Sequence, residues 1–342
     1  MVLLTHNIYA TDNKSSYLAV GGFSNDRQLD TVVTNSGNST VSVLLGYSND
    51  SFVKHATYSA GTPAKHLAVG NFNKDNRNDI VVTNPGKNTI SVLLEFGNGY
   101  LENRVAYSTG AFPMCVAVGD FNNDTCLDIV VANYDDNSVS VLLEYGNGPF
   151  QSQTTFPTGA YPYHLAVGDF NSDTRSDVVI VNNEESTVSV LLRYDKGVMK
   201  NEITFAPNIV VANDGTNSIG VLLGYGNDSF EKQMTFSTGL KSHPYSVALN
   251  DFNQNKQLDI IVANQGTKNL VTLLGKGNGM FENQASHDAS LYFAPVTVGL
   301  GELNNDGHSE IVFAYDNCDY IDILVPYDTG AFPQRMTYIT DT

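Results

Sequence analysis

Short apolar runs separated by polar turns recur along the chain at a fixed interval. The run Val-Ser-Val-Leu-Leu ends at Leu45 and recurs with its last leucine at Leu94, Leu143 and Leu192, a spacing of 49 residues each time. It continues less regularly at Leu223, Leu274 and Leu324, with spacings of 31, 51 and 50. Within one unit, LAVGDF (165–170), VVIVN (178–182), TVSVLL (187–192) and a run ending in ITF (203–205) are each β-rich and bounded by Gly, Asn, Asp or Pro, which reads as four short strands. No unit contains apolar residues at i, i+3, i+4 and i+7, so a helical solenoid is excluded. Parallel β-helix repeats are shorter, and a 49-residue unit can form its own antiparallel sheet. The pattern predicts an all-β fold, a β-propeller of about seven four-stranded blades, because radial packing leaves only short, protected edges.

The units of this single domain fall at about 12–60, 61–109, 110–158, 159–206, a truncated 207–238, 239–290 and 291–342, with 1–11 as a partial blade. Between Phe205 and Asn208 the stretch equivalent to TGxxPxxLAVGDFNxDxxxD is missing, so blade five should lack its inner strand. Val2 to Leu4 matches strand three, so the chain opens in mid-blade, while MTYIT (336–340) already completes the last blade. The expectation is either a fragment of a longer gene product or a ring closed by overlap of the two ends.

Between strands one and two each full unit places a nine-residue acidic turn with ligand-type residues at positions 1, 3, 5 and 9. The best examples are Asp120, Asn122, Asp124 and Asp128, and Asp169, Asn171, Asp173 and Asp177. The same positions give Asn71, Asn73, Asp75 and Asp79, then Asp251, Asn253, Asn255 and Asp259, then Glu302, Asn304, Asp306 and Glu310. Alternate side chains of a tight turn converge on one side. The backbone carbonyl of position 7 (Arg77, Cys126, Arg175, Gln257, His308) would add another oxygen. Hard oxygen donors without His or Cys select Ca²⁺ over the stricter Mg²⁺. About five calcium sites are expected; a sixth is degenerate, keeping Ser24, Asp26 and Asp30 but carrying Gly22 at position 1. The competing explanation is a plain Asx-turn, in which these side chains cap their own backbone.

Composition narrows the partners. Asp and Glu number 36 against 18 Lys and Arg, a formal charge of −18, which argues against nucleic acid or an anionic membrane. No run approaches the length of a membrane span, and the first residues lack a signal peptide's charged start and apolar core. Three cysteines are too few and scattered for a disulfide framework; Cys115 and Cys126, at strand start and turn of one predicted hairpin, should lie too far apart to bridge. Asn-x-Ser/Thr acceptors stand at Asn13, Asn38, Asn49, Asn123 and Asn227, the fourth inside an acidic turn.

The lead-ins Gly110 to Pro113 and Gly159 to Pro162, the AVGDFN strand and loop, the DxNxDxxxD turn and the GNGPF turn at 146–150 together resemble the FG-GAP or VCBS repeats of integrin α-chain propellers and of related extracellular and lectin-like propellers. The resemblance covers nearly the whole chain. It implies a propeller, commonly of seven blades, with calcium between strands one and two and protein or glycan bound at the opposite face. Topology puts the loops from strand two to three and from strand four to one on that face. They carry Phe112, Tyr134, Asp135, Asp136, Tyr161, Tyr163, His164, His243 and Tyr245, groups that sugars and protein hot spots use, although aromatics also simply fill blade interfaces. His164 reads as a lone histidine, without a Cys or second His at ligand spacing.

Three functions follow. The first is a non-catalytic extracellular or cell-surface recognition or adhesion module, a monomer or part of a larger chain. The second is a polysaccharide-acting hydrolase or lyase working in the central channel; no GxSxG, HExxH or GxxxxGK[ST] motif supports it, and its catalytic residues would have to break the repeat. The third is a structural or defective repeat product without a ligand, which the missing inner strand favours.

Overall fold

A computed structural model describes residues 7–324 apart from 25, 48–51, 62, 145–148, 171–172, 185–186, 196–197, 201–208, 224–232, 254, 278, 284–290, 292, 304–308 and 316–319. The strands begin with β1 (Asn7–Ala10). Blade one is β2 (Ser15–Gly21), β3 (Asp30–Asn35), β4 (Thr40–Gly46) and β5 (Phe52–Ser59). Blade two is β6 (Leu67–Gly70), β7 (Asp79–Asn84), β8 (Thr89–Glu95) and β9 (Leu101–Ser108). Blade three is β10 (Pro113–Gly119), β11 (Asp128–Asn133), β12 (Ser138–Leu142) and β13 (Thr154–Pro157). Blade four is β14 (Pro162–Gly168), β15 (Asp177–Asn182), β16 (Thr187–Asp195) and β17 (Val198–Lys200). Blade five has β18 (Ile209–Asn213), β19 (Ser218–Leu222) and β20 (Met234–Ser237). Blade six is β21 (Pro244–Asn250), β22 (Asp259–Asn264), β23 (Asn269–Gly275) and β24 (Phe281–Asn283). Blade seven begins with β25 (Pro295–Gly301), β26 (Glu310–Tyr315) and β27 (Tyr320–Leu324).

The chain is a seven-bladed propeller of antiparallel sheets. No helix among the described residues is long and apolar enough to cross a membrane. The inner strands pack side by side around the axis: β2 against β6 and β25, β10 against β6 and β14, and β21 against β25. The second strand of each four-stranded blade is enclosed by neighbours within its sheet and by the adjoining blades, so its apolar centre is covered on both faces. All six residues of β3, β7, β11, β22 and β26 are buried.

Two departures come from the chain's asymmetries. Blade seven takes its fourth strand from the opposite end of the sequence: β1 pairs antiparallel with β27, Asn7 opposite Ile323 and Ala10 opposite Tyr320. Tyr9 then stacks edge-on against Phe52 of blade one, ring centroids 5.4 Å apart. The pairing agrees with the second expectation, a ring closed by overlap of the two ends; the strand expected at 336–340, and the ITF run at 203–205, lie outside the described residues. Among the described residues, blade five lacks its inner strand. The second-strand equivalent β18 stands at the edge of its three-stranded sheet, with only Ile209 buried and its other four residues half-buried.

A repeated buried carboxylate fixes each blade's geometry. The residue closing each acidic turn is also the first of strand two, and Asp30, Asp79, Asp128, Asp177, Asp259 and Glu310 are all fully buried. Asp128 accepts the Phe121 N–H on Oδ2 at 2.7 Å and the Glu144 N–H on Oδ1 at 2.8 Å. It thereby ties the turn to the far end of strand three. Asp79 does the same with Phe72 and Glu95, Asp259 with Phe252 and Gly275, and Asp30 with Phe23, Ser24 and Gly46. Asp177 accepts from Phe170, and Glu310 from Leu303.

A buried amide stripped of its acceptor costs about 1–3 kcal/mol. Asp128→Ala, which orphans two, should therefore destabilise by about 2–6 kcal/mol in a denaturant titration, and Asp128→Asn, which keeps one acceptor oxygen, by clearly less; equal losses would show that filling space, not the two hydrogen bonds, is what matters. Removal of residues 1–10 should lower the melting midpoint and broaden the transition, because β27 loses its partner; an unchanged melt would mean that β1 does not close the ring.

Candidate functional site

The acidic turns share one backbone course. Position 6 is left-handed in each of the five described loops, at Arg27, Asn76, Thr125, Thr174 and Lys256, with φ between 66° and 72°. Such a φ is unfavourable for a side chain branched at Cβ, yet Thr125 and Thr174 adopt it. The position-5 side chain accepts the N–H of position 7 throughout: Asp26 from Gln28, Asp75 from Arg77, Asp124 from Cys126, Asp173 from Arg175 and Asn255 from Gln257, at 2.8–2.9 Å. Position 1 wraps onto the same turn, Asp120 accepting from Asn123 and Thr125, and Asp251 from Asn255 and Lys256. The Asx arrangement is thus present in the loops.

The same folding gathers the oxygens of positions 1, 3 and 5. Asn73 Nδ2 lies 3.0 Å from Asp75 Oδ2, Asn122 Nδ2 lies 2.9 Å from Asp124 Oδ2, and the Asp75 N–H is shared between Asn71 and Asn73. Burial pushes Asp128 up to about 7, assisted by Asp124 and Asp120, and Asp79 up to about 6, assisted by Asp75. Burial also raises Asp259, beside Asp251, and Asp30. Carboxylates held together in this way are stabilised as anions by a cation, and an all-oxygen donor set fits Ca²⁺. The residues able to hold it are Asn71, Asn73, Asp75 and Asp79; Asp120, Asn122, Asp124 and Asp128; Asp169, Asp173 and Asp177; and Asp251, Asn253, Asn255 and Asp259. Position 9 serves first as the strand clamp described above, a role its spacing alone did not disclose.

The loops are not equivalent. The Arg77 guanidinium bonds Asp75 at 2.7 Å and lies 3.2 Å from Glu95, and Arg175 Nε lies 3.6 Å from Asp173. Blades two and four thus bring a cation of their own to position 5. Blade three has Cys126 and blade six Gln257 at that place. In blade one Ser24 Oγ donates to Asp26 at 2.7 Å. Asn171, Asn304, Asp306 and His308 lie outside the described residues.

On the opposite face the structure brings together residues from three blades. Tyr134 lies 6.2 Å from Phe112, 4.9 Å from Tyr161 and 6.2 Å from Tyr163, measured between ring centroids. The hydroxyls of Tyr163 and Tyr245 meet at 2.6 Å, joining the inner strands of blades four and six across the place where blade five has none. Phe112 is 40% and Tyr245 37% exposed. Phe112, Tyr161 and His243 each adopt a left-handed φ of 55°, 56° and 47° immediately before a proline. Lys14 takes the same conformation, φ 55°, at the equivalent position of blade one, so this backbone course belongs to the repeat's turn into the inner strand. The polar groups around them support loops: Asp136 accepts the Ala111 N–H, the Asp135 N–H donates to Ala111, and His243 pairs with Asp214 at 2.8 Å.

His164 is not part of that rim and is not alone. It faces a cavity of about 430 Å³ on the propeller axis, lined also by Tyr17, His66, Tyr163 and Tyr245. There it meets His66 and Cys115, with one ligand atom from each residue within 4.8 Å of the others. Cys115 Sγ lies 3.4 Å from His66 Nε2, and the two imidazole centroids are 5.3 Å apart. The lone-histidine reading is thereby corrected. Positions 66, 115 and 164 are separated by 49 residues twice over, so the repeat places them at the same height on consecutive inner strands. A search for short ligand spacing could not find them; superposing the repeats would have. Burial holds His66 well below its ordinary value, with His164 and Lys65 adding to the effect, and burial pushes the Cys115 thiol up to about 12. His164 is open to water through the cavity, although protein surrounds it and lowers it too.

The FG-GAP-like repeat model matches residues 71–131, 120–180 and 251–313, together just over half of the chain. Curated proteins show no match in sequence. Among solved structures, BBS1N from its complex with ARL6DN has a TM-score of 0.65 at 10% identity, covering 96% of this chain and 98% of that one. A protein from Lactobacillus plantarum gives 0.64 at 13%, covering 98% and 96%. The Pseudomonas aeruginosa periplasmic gluconolactonase PpgL gives 0.60 at 15%, covering 79% and 84%. At such identities the likeness is one of fold, but the repeat match covers the acidic turns and the strands that carry them, and the chain belongs to the FG-GAP-like repeat family.

Proposed function

We propose that this chain is a calcium-stabilised recognition propeller of the extracellular or cell-surface kind, which binds a protein or a glycan through its aromatic face without turnover. The observation that carries the reading is the aromatic group Phe112, Tyr134, Tyr161, Tyr163 and Tyr245, collected from three blades onto one face. Aromatic faces with few free charges suit sugar rings and protein hot spots. Calcium in the opposite loops would relieve the mutual repulsion of the carboxylates and hold the turns rigid.

A second reading, a hydrolase acting in the channel, draws on the fold shared with a gluconolactonase and on a His–Cys–His group that differs from blade to blade, as a reaction centre must. It predicts turnover, whereas recognition predicts saturable binding alone.

Two measurements test the proposal. At millimolar calcium and a Kd of about 10⁻⁴ M, each site stabilises the fold by about 1.4 kcal/mol, so the melting midpoint should rise by many degrees from EDTA to calcium and less with magnesium; no rise would reduce the loops to Asx-turns. Retention on an array of glycans and candidate proteins in calcium should be saturable and fall at least about 10-fold in Tyr161→Ala, the loss of one aromatic hot spot. Release of product from any arrayed glycan would favour the hydrolase instead.

A further inference from the structure

The inner strands carry one residue each, at the same repeat position, around the axis: Tyr17, His66, Cys115, His164, Ser246 and Thr297. Neighbours in this ring touch. Tyr17 stacks on His66 with centroids 3.5 Å apart and hydrogen-bonds Thr297, and Ser246 Oγ accepts the Val298 N–H. Half of the ring is hydroxyl and half is imidazole or thiol, and the three nitrogen and sulfur side chains are consecutive.

We propose that His66, Cys115 and His164 form a binding site for one borderline-soft transition-metal ion of the Zn²⁺ type, with its fourth coordination position facing the axial cavity. Two imidazoles and a thiolate are the donors such ions select, and the hard-oxygen acidic turns on the other side of the propeller offer a different chemistry. Bond lengths of about 2.0–2.1 Å to nitrogen and 2.3 Å to sulfur place tetrahedral ligand atoms about 3.3–3.6 Å apart. The Cys115 to His66 separation of 3.4 Å already meets this. Only His164 has to swing inward, and it is the solvent-accessible member of the three.

The ion would take the place of the hydrogen between His66 Nε2 and Cys115 Sγ, displacing the thiol proton to solvent. The other ring nitrogen, His66 Nδ1, faces the Val116 N–H at 3.5 Å, and this long contact has to open for Nδ1 to carry the ring hydrogen once Nε2 binds the ion. Three protein ligands and an open position distinguish this arrangement from a closed four-ligand structural site. The bound ion would also link the inner strands of blades two, three and four, the last of which adjoins the blade without an inner strand.

The test uses the full chain, stripped with chelator and then held in excess calcium so that the acidic turns are occupied. Equilibrium dialysis against micromolar Zn²⁺ should leave one equivalent per chain, and Co²⁺ should produce a thiolate-to-cobalt charge-transfer absorption. Both should survive the Cys126→Ser, Cys318→Ser double variant. Cys115→Ser should abolish the absorption, and His164→Ala, an accessible position whose loss should leave the fold intact, should weaken Zn²⁺ at least about 10-fold. Zinc uptake that is unsaturable, or unchanged in His164→Ala, would overturn the assignment and leave the three residues as channel packing. An absorption that disappears with Cys126 and Cys318 would overturn it as well.

Discussion

The blade depends on one buried carboxylate. A propeller repeat must turn sharply between strands one and two and still deliver strand three in register, and the side chain at turn position 9 does both. Its two oxygens reach amides seven residues before it and sixteen residues after it, as in Asp79 with Phe72 and Glu95. A carboxylate is suited to this because it only accepts, and its charge strengthens each bond. The cost is a buried anion in a loop with other acids, which is why Asp79 and Asp128 are raised to about 6 and about 7. The same residue that orders the sheet therefore creates the electrostatic demand that a cation in the turn would satisfy. The strand clamp and the candidate cation position thus share an atom group.

The deletion in blade five shows how local propeller packing is. Each sheet contacts chiefly its two neighbours, so the absence of one inner strand exposes what it would have covered and little beyond. The effect is visible in β18, in His164 of blade four, which is exposed where the equivalent Cys115 is buried, and in Tyr245 of blade six, which is exposed where the equivalent Met114 is half-buried. Among the described residues the inner ring has six strands, and Tyr163 and Tyr245 meet where a seventh would stand. The missing strand thus contributes to the room on the axis, placing an aqueous cavity beside titratable side chains that a complete seventh strand would have crowded.

Much of the fold was legible in the residues because a repeat states its rule several times. The period of 49 gave strand number, blade number and the shortened fifth unit, and the spacing of acidic residues gave the turns. What the chain concealed were relations between distant positions. The pairing of β1 with β27 joins residues more than 300 apart, and the sequence offered a second candidate strand near its other end. Position 9 looked like a ligand because its chemistry is visible, whereas its bond to the end of strand three depends on hairpin register. The aromatic face was legible as a set of loops; the left-handed backbone of Phe112 and Tyr161, which Lys14 shares at the same repeat position, was not.

The His–Cys–His group illustrates a different blindness. A repeat is usually read for what it keeps constant, and constancy reveals packing, turns and clamps. A site with a distinct chemistry needs residues that differ between equivalent positions, because a symmetric ring offers a ligand several equal places to sit. On the axis, one residue per blade can be varied with little effect on the sheet that carries it, so chemical identity accumulates there at small structural cost. Tyr17, His66, Cys115, His164, Ser246 and Thr297 put five residue types at one register. Wherever blades are stacked around an axis, the residues that break the period at the inner strand are the ones whose side chains converge, and a 49-residue separation in sequence becomes contact in space.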